Sequence, residues 1–201
     1  MFSHLLPVGA GWARRSLFGR EEKVLFLFVV IGMVTEFVTY FMVLRKINTL
    51  WVLHVHHLLE FVMLMLILGN WQDQRAIHRL ALLSIPVYTV FWIVSLFTIE
   101  SFCGPATYTH NVAGALLVIL AAITLYNLMN ESEIEVYREL RFWAAAGVLI
   151  YFAGNTVLFL LFDRRALLRS QDALTVWKLH WVIDTFVNLS YTASFLCLRR
   201  P

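Results

Sequence analysis

The chain has 201 residues, of which 60% are hydrophobic, 15% are aromatic and only 14% are charged. Soluble domains carry about 25% charged residues, so this composition excludes an ordinary soluble domain and indicates a membrane protein. The net charge is only +3, and the sequence has no basic stripe interleaved with stacking aromatic residues. We therefore expect a lipid bilayer, and no nucleic acid, as the main partner of the chain.

Six apolar segments are each long enough to cross a membrane as a helix. About 20 apolar residues span a hydrocarbon core roughly 30 Å thick, and a helix satisfies its own backbone hydrogen bonds in lipid. The connections are too short for a separate domain, so the predicted fold class is all-α, with one polytopic transmembrane helical bundle over residues 24–198. The six spanning helices are predicted at 24–44, 50–69, 80–99, 110–129, 142–162 and 176–198.

Residues 1–23 precede the first apolar segment and form a separate N-terminal region. Trp12, Phe18 and the pair Arg14 and Arg15 suit a segment that lies at the membrane surface. A basic stretch that only sets the topology of the chain would have the same composition. Our prediction is an interfacial segment over residues 1–23.

Orientation follows from the lysine and arginine residues, because these are enriched in cytoplasmic loops. Ten of them lie on the side of the bundle that carries both termini, and five lie on the other side. We therefore predict a multi-pass protein of the inner, cytoplasmic membrane with its N and C termini in the cytoplasm. The ten are Arg14, Arg15, Arg20, Lys23, Arg75, Arg79, Arg138, Arg141, Arg199 and Arg200, and the five are Arg45, Lys46, Arg164, Arg165 and Arg169.

Three of the six segments contain ionisable residues at membrane depth. Charges there are expensive, usually face the interior of a bundle and mark functional sites. The fourth segment has none except His110 at its outer mouth, so of the six segments it is the one that we expect to face mostly lipid. The ionisable residues are Glu36 in the first segment, His54, His56, His57 and Glu60 in the second, and Lys178, His180 and Asp184 in the sixth.

The intramembrane acids and histidines also share depth and helix faces. At about 1.5 Å per residue, they lie roughly 6–15 Å from the outer ends of their helices, in the outer half of the membrane. At about 100° per residue, His180, Asp184 and Asn188 lie on one stripe. We therefore predict a polar pocket that is open to the outside and walled by the first, second, fifth and sixth segments. The candidate ligand-binding residues are Glu36, His54, His57, Glu60, Asn155, His180, Asp184 and Asn188.

Several chemistries fit such a pocket. The i, i+4 pairs His56–Glu60 and His180–Asp184 each present two ligands on one helix face, which suits a divalent metal such as zinc. Histidines from two helices also hold haem as axial ligands, and histidine changes charge near neutral pH, as proton-linked sensing or transport requires. The same pairs can serve only as hydrogen bonds between helices. Zinc is the first candidate cofactor and haem the second, and the candidate metal ligands are His56, His57, Glu60, His180 and Asp184.

Loose motifs in the chain resemble those of known membrane proteins. Uncharacterised small bacterial integral membrane proteins with six or seven helices are similar in the run from Leu149 to Asn155, in Thr35-Glu36, in His57-x-x-Glu60-Phe61, and in the set His180, Asp184, Asn188 and Tyr191. That resemblance implies the fold and no activity. A second similarity is to the seven-helix membrane hydrolases that include alkaline ceramidases. It implies a metal-bound histidine set with a His-x-x-x-His pair in the last helix, where this chain has His180 and Asp184.

These observations support one leading functional prediction and several alternatives. We expect an integral membrane protein whose pocket binds a small ligand or ion for sensing or signalling. The alternatives are a metal-dependent, membrane-embedded lipid hydrolase, a haem or quinone redox subunit, and a structural subunit that binds another membrane protein or forms a homo-oligomer. Whether the chain is an enzyme stays open, and no catalytic residue is assigned.

Overall fold

A computed structural model of the chain describes residues 3–104, 106–130, 135–161 and 170–198, with the backbone alone for residues 159–161 and 170–177. Within these ranges all regular structure is helical, which confirms the all-α fold class. Two short 3-10 helices, Arg15–Leu17 and Val136–Arg138, join longer elements. The α-helices are α1 (Leu5–Arg14), α2 (Arg20–Leu44), α3 (Leu50–Asn70), α4 (Arg75–Thr98), α5 (Thr107–Asn130), α6 (Leu140–Leu161) and α7 (Ser170–Leu196).

Five of these helices, α2 to α6, are long and apolar enough to cross a membrane. They coincide with the first five predicted segments and confirm a multi-pass membrane protein in a bilayer. Most of them begin a few residues earlier than predicted, because the helix continues through polar residues outside the apolar stretch. The sixth predicted segment belongs to α7, whose described part is not among the five, and its His180, Asp184 and Asn188 lower its apolar character. A sixth span therefore stays a prediction.

The two ends of the bundle are distinct. The beginnings of α2 and α6 and the ends of α3 and α7 meet around Glu21, Arg141, Asn70 and Leu198, and we call this the Leu198 end. The opposite end carries the loop that contains Cys103, and we call it the Cys103 end. Which end is cytoplasmic stays a prediction, and five of the basic residues counted for it lie outside the described residues, namely Arg164, Arg165, Arg169, Arg199 and Arg200.

Six helices form a closed ring, and α4 packs outside it against α3 and α5. Around the ring, α2 contacts α3, α3 contacts α5, α5 contacts α6, and α6 contacts α7. Helix α1 contacts both α7 and α2 and so closes the ring. The interior is filled by large buried apolar side chains, which include Phe61, Leu64, Leu117, Phe152 and Phe195.

Helix α1 lies lengthwise along α7. Before it begins, Ser3 Oγ donates a hydrogen bond to Asp184 Oδ2 at 3.3 Å, and at its end Arg14 Nη1 donates to the backbone oxygen of Leu198 at 3.4 Å. A Cβ atom at Gly11 would come within 2.5 Å of the Phe26 ring, so glycine at this position permits the close approach of α1 to α2. The N-terminal region predicted as interfacial thus contains a helix with one side against the bundle, and its boundary at residue 23 stays a prediction.

Helix α5 is not the helix that faces lipid most, contrary to the expectation for the fourth segment. In α5, 39% of the apolar span is buried, against 17% in α2 and in α4. The reason is a set of small residues, Ala113, Gly114 and Ala121, because small side chains let helices in a membrane approach closely. A Cβ atom at Gly114 would lie 3.2 Å from the Phe152 ring of α6. Small residues, and not the lack of charges, decide how α5 packs.

Candidate functional site

Two histidines and one glutamate converge between α3 and α5. His57 and Glu60 lie about one helical turn apart on α3, and His57 Nδ1 is 3.3 Å from Glu60 Oε2. His110 comes from α5, and its ring centroid is 4.5 Å from that of His57. One potential ligand atom from each residue lies within 4.8 Å of the other two. We call His57, Glu60 and His110 the histidine–glutamate triad.

The packing of three helices holds the triad in place. Helix α3 contacts α2, α4 and α5, so the His57 and Glu60 face lies inside the bundle. The ring of His110 also packs against Phe152 of α6, with 5.7 Å between ring centroids. Glu60 and His110 are each only 6% exposed. Glu60 and His110 are therefore shielded from lipid, and the half-buried His57 lies beside them.

A cavity of about 60 Å³ adjoins the triad through Glu60. Its apolar lining includes Phe28 and Val29 of α2 and Val187 of α7. One water molecule needs roughly 10–15 Å³ of such volume, so the cavity holds a few waters or a small ion. Its main polar lining residues are His4, His56, Glu60, Tyr151, Asp184 and Asn188.

Hydrogen bonds hold Asp184 at the wall of this cavity. Asn188 Nδ2 and Ser3 Oγ both donate to Asp184 Oδ2, at 3.2 Å and 3.3 Å. His4 Nδ1 lies 3.1 Å from Glu36 Oε2 and 3.9 Å from Asp184 Oδ2. His4 therefore lies between two carboxylates and links the start of α1 to α2 and α7.

His180 is oriented by Asn155 across the α6–α7 contact. His180 Nδ1 lies 2.8 Å from Asn155 Oδ1, so the N–H on Nδ1 donates to the amide oxygen. With the proton on Nδ1, the lone pair of the ring lies on Nε2, as in many metal-bound histidines. Asn155 is 1% exposed, and its Nδ2 group has no hydrogen-bond partner among the described residues. That amide can donate to a water molecule or a ligand.

Glu60 connects the triad to the other polar groups. A potential ligand atom of His110 lies within 4.8 Å of one of Glu60, and Glu60 lines the cavity together with Asp184. His56 also lines the cavity, and its Nδ1 lies 3.3 Å from the Thr35 hydroxyl oxygen. The bundle thus brings most of the residues singled out in the sequence into one region, while their role as ligands stays a prediction.

His54 has a different environment from the other candidate residues. Its Nε2–H donates to the backbone oxygen of Gly104 at 2.9 Å, and its ring stacks on Phe102 with 5.7 Å between centroids. His54 is fully buried and is not among the residues that line the cavity. These contacts fasten the loop at the Cys103 end to α3.

The i, i+4 pair His180–Asp184 is divided between two neighbourhoods. His180 bonds to Asn155 of α6, whereas Asp184 accepts hydrogen bonds from Asn188 and Ser3. A shared helix face therefore brings both residues to the polar region, and the neighbouring helices give each a different partner.

Sequence reasoning misses His110, His4 and Ser3 as members of the site. His110 lies near the Cys103 end of its helix, as His57 does, and this shared depth is the signal that could have included it. His4 and Ser3 lie outside any apolar stretch of membrane length, so hydropathy and helical periodicity contain no signal for them. Their place depends on how α1 packs.

A comparison of the chain with protein-family models, curated proteins and solved structures finds no match. The resemblances to small bacterial six- or seven-helix membrane proteins and to alkaline ceramidases stay predictions. The functional argument therefore depends on the geometry of the site.

Proposed function

We propose that this protein is a multi-pass membrane protein that binds a divalent metal ion at the histidine–glutamate triad. Zinc is the first candidate for this ion. The role of the protein is ion binding for sensing or signalling. The observation that carries the proposal is the approach of three potential ligand atoms, one from each triad residue, to within 4.8 Å of one another. Two imidazole nitrogens and one carboxylate oxygen are a donor set that zinc accepts.

A bound cation also accounts for a carboxylate at this depth. Ionised groups inside a membrane are expensive unless another charge or a set of hydrogen bonds compensates them. A divalent ion would neutralise the Glu60 carboxylate and take a lone pair from each of the two histidines. The triad residues lie on two helices, α3 and α5, that pack directly on each other.

His180 is our candidate for a fourth ligand. Its Nδ1–H is held by Asn155, and its ring centroid lies 6.2 Å from that of Tyr151, which lines the cavity together with Glu60. An outer hydrogen-bond acceptor of this kind fixes the tautomer and orientation of a metal-bound histidine. We propose Asn155 as a positioning residue that acts through His180.

The ligand set also favours a second candidate, metal-dependent lipid hydrolysis. Three protein ligands that leave one position for water are typical of catalytic zinc sites. The cavity favours ion binding instead, because about 60 Å³ holds a few waters and no lipid chain. For the same reason, neither haem nor a quinone is part of the proposal. Fatty-acid release from lipid vesicles by the zinc-loaded protein would favour the hydrolase.

Zinc titration of the purified protein in detergent tests the proposal. We expect the intact chain to bind a stoichiometric zinc ion and the variants Glu60→Gln and His110→Ala to lose it. The matched control is His78→Ala, because His78 lies on α4 and its ring donates to the Gly69 backbone oxygen at 2.9 Å, outside the triad. Folded Glu60→Gln and His110→Ala proteins that bind zinc as the intact chain does would contradict the proposal.

We also propose that α7 is a sixth span and that the Leu198 end of the bundle, where α2 begins and α7 ends, faces the cytoplasm of an inner membrane. Helix α7 has 27 residues, which corresponds to about 40 Å and is long enough to cross. The ten-to-five excess of basic residues supports the orientation. Reporter fusions in loop 100–109 should be active outside the cytoplasm, and cytoplasmic activity there would contradict this topology.

A further inference from the structure

Helix α1 fills the space between α2 and α7 on the Leu198 side of the cavity. It has ten residues, so its length is about 15 Å, half the thickness of a hydrocarbon core. Just before it, Ser3 and His4 contact residues that line the cavity. Further along, Gly11 lies against Phe26, and Arg14 reaches Leu198. Helix α1 thus extends from the cavity to the Leu198 end.

Apolar packing on one side of α1, where Val8 and Ala10 lie against the buried core, and polar contacts at its two ends hold the helix in the ring. Only Pro7 and Gly11 of this helix are buried, whereas Leu5, Leu6 and Trp12 are exposed. The apolar attachment is therefore one-sided. The contacts of Ser3 and His4 with the Asp184 and Glu36 carboxylates anchor the end at the cavity, and the bond from Arg14 to Leu198 anchors the other end.

We propose that α1 is a plug that separates the metal site from the Leu198 end of the bundle, and that His4 is the latch of this plug. The proposal rests on the proposed function for the identity of the ion that the plug retains. The plug itself is argued independently of the proposed function. In the closed state His4 lies between Glu36 and Asp184, and Ser3 donates to Asp184.

The latch couples the plug to the ion. When α1 moves out, Glu36 and Asp184 lose their contacts with His4 and Ser3 in a membrane interior, which is costly. A cation that moves from the triad into the cavity compensates the two carboxylates in place of His4. Cation occupancy of the cavity and withdrawal of α1 therefore favour each other, since each stabilises the same state. This movement gives the ion an exit towards the Leu198 end.

Cysteine accessibility tests the plug in the metal-free protein. The reporter is Val29→Cys, in a background with Cys103→Ser and Cys197→Ser, because Val29 lines the cavity and is 2% exposed. The measurement is the rate of labelling by a small cationic methanethiosulfonate. His4→Ala removes the latch, and Arg14→Gln removes the anchor at the far end of α1, away from the cavity.

We expect each of these two variants to speed labelling by about tenfold, because each removes a hydrogen-bonded contact that opposes opening. The matched control is Gly9→Ala, which should leave the rate unchanged because a Cβ atom there meets nothing within 4 Å. Circular dichroism verifies that each variant keeps its helices.

An increase with both His4→Ala and Arg14→Gln supports the plug, because Arg14 is too far from the cavity to change its size. An increase with His4→Ala alone means only a larger cavity and overturns the proposal. Unchanged rates in both folded variants, or equal acceleration by Gly9→Ala, also overturn it. Zinc binding is measured separately, so a chain that binds no zinc but shows the expected rates loses the proposed function and keeps the plug.

Discussion

Glu60 and Glu100 are both buried carboxylates, but different chemical groups surround them. Glu100 follows α4 and is 8% exposed. It accepts hydrogen bonds from the backbone N–H groups of Tyr108 at 2.5 Å and Thr109 at 3.2 Å, and from the Thr109 hydroxyl at 2.7 Å. Glu60 is 6% exposed and lies beside the two triad histidines and a cavity.

The difference separates a structural carboxylate from a candidate binding carboxylate. The first turn of a helix has N–H groups without an intrahelical partner, and a negative charge there is stabilised by the helix dipole. Glu100 satisfies these donors at the start of α5. The neighbours of Glu60 are ionisable side chains, whose protons a metal ion can replace. Burial of an acid therefore does not identify a binding site, whereas the chemistry of its partners does.

Replacing Glu60 should have the largest effect on metal binding. We expect Glu60→Gln to weaken zinc affinity by roughly a hundredfold or more, because even outer-shell partners of a metal site contribute about 10- to 100-fold. The measurement is a competition titration against a zinc indicator in detergent. Helical content should stay unchanged, and retention of full affinity would remove the distinction between Glu60 and Glu100.

Replacing Glu100 should affect stability and leave zinc binding unchanged. We expect Glu100→Ala to lower the free energy of unfolding by about 1–3 kcal/mol, because it leaves buried donors at the start of α5 without an acceptor. Glu100→Gln is the matched variant, since it keeps an acceptor oxygen. Thermal unfolding measures the stability of both variants, and the same zinc titration measures their zinc affinity. A loss of zinc affinity in folded Glu100→Ala protein would contradict the structural role of Glu100.

A smaller effect is expected at Asn155, which acts through His180. We predict that Asn155→Leu weakens zinc affinity by about tenfold, in the range typical of outer-shell partners. Asn155→Asp keeps an acceptor for His180 Nδ1–H and should restore most of the affinity. Equal affinities in the Leu and Asp variants would mean that Asn155 serves helix packing alone.

The smallest effect is expected at His54, which the sequence predicts to be one of the ligand-binding residues. His54→Phe keeps a ring against Phe102 and removes the hydrogen bond to the Gly104 backbone oxygen. We expect a stability loss of about 0.5–1.5 kcal/mol, the usual contribution of one hydrogen bond, and unchanged zinc affinity. A marked loss of zinc binding would instead make His54 part of the site.

The sequence predicts the helices well because their cause is local. In lipid a segment must satisfy its own backbone hydrogen bonds, so apolar length alone indicates where α2 to α6 lie. The shared depth of His57 and Glu60 is equally local, since it follows from position along one helix. This is why hydropathy and periodicity are sufficient to predict a multi-pass bundle with polar groups inside it.

The neighbours of each helix were decided only by the tertiary structure. Gly114 brings α5 against α6 and places His110 beside His57, and Gly11 lets α1 approach α2 so that His4 reaches Glu36. Contacts of this kind depend on the fit of side chains far apart in the chain. Neither apolar length nor helical period encodes that fit, so the sequence alone determined which residues lie at membrane depth, and packing between helices determined which of them meet.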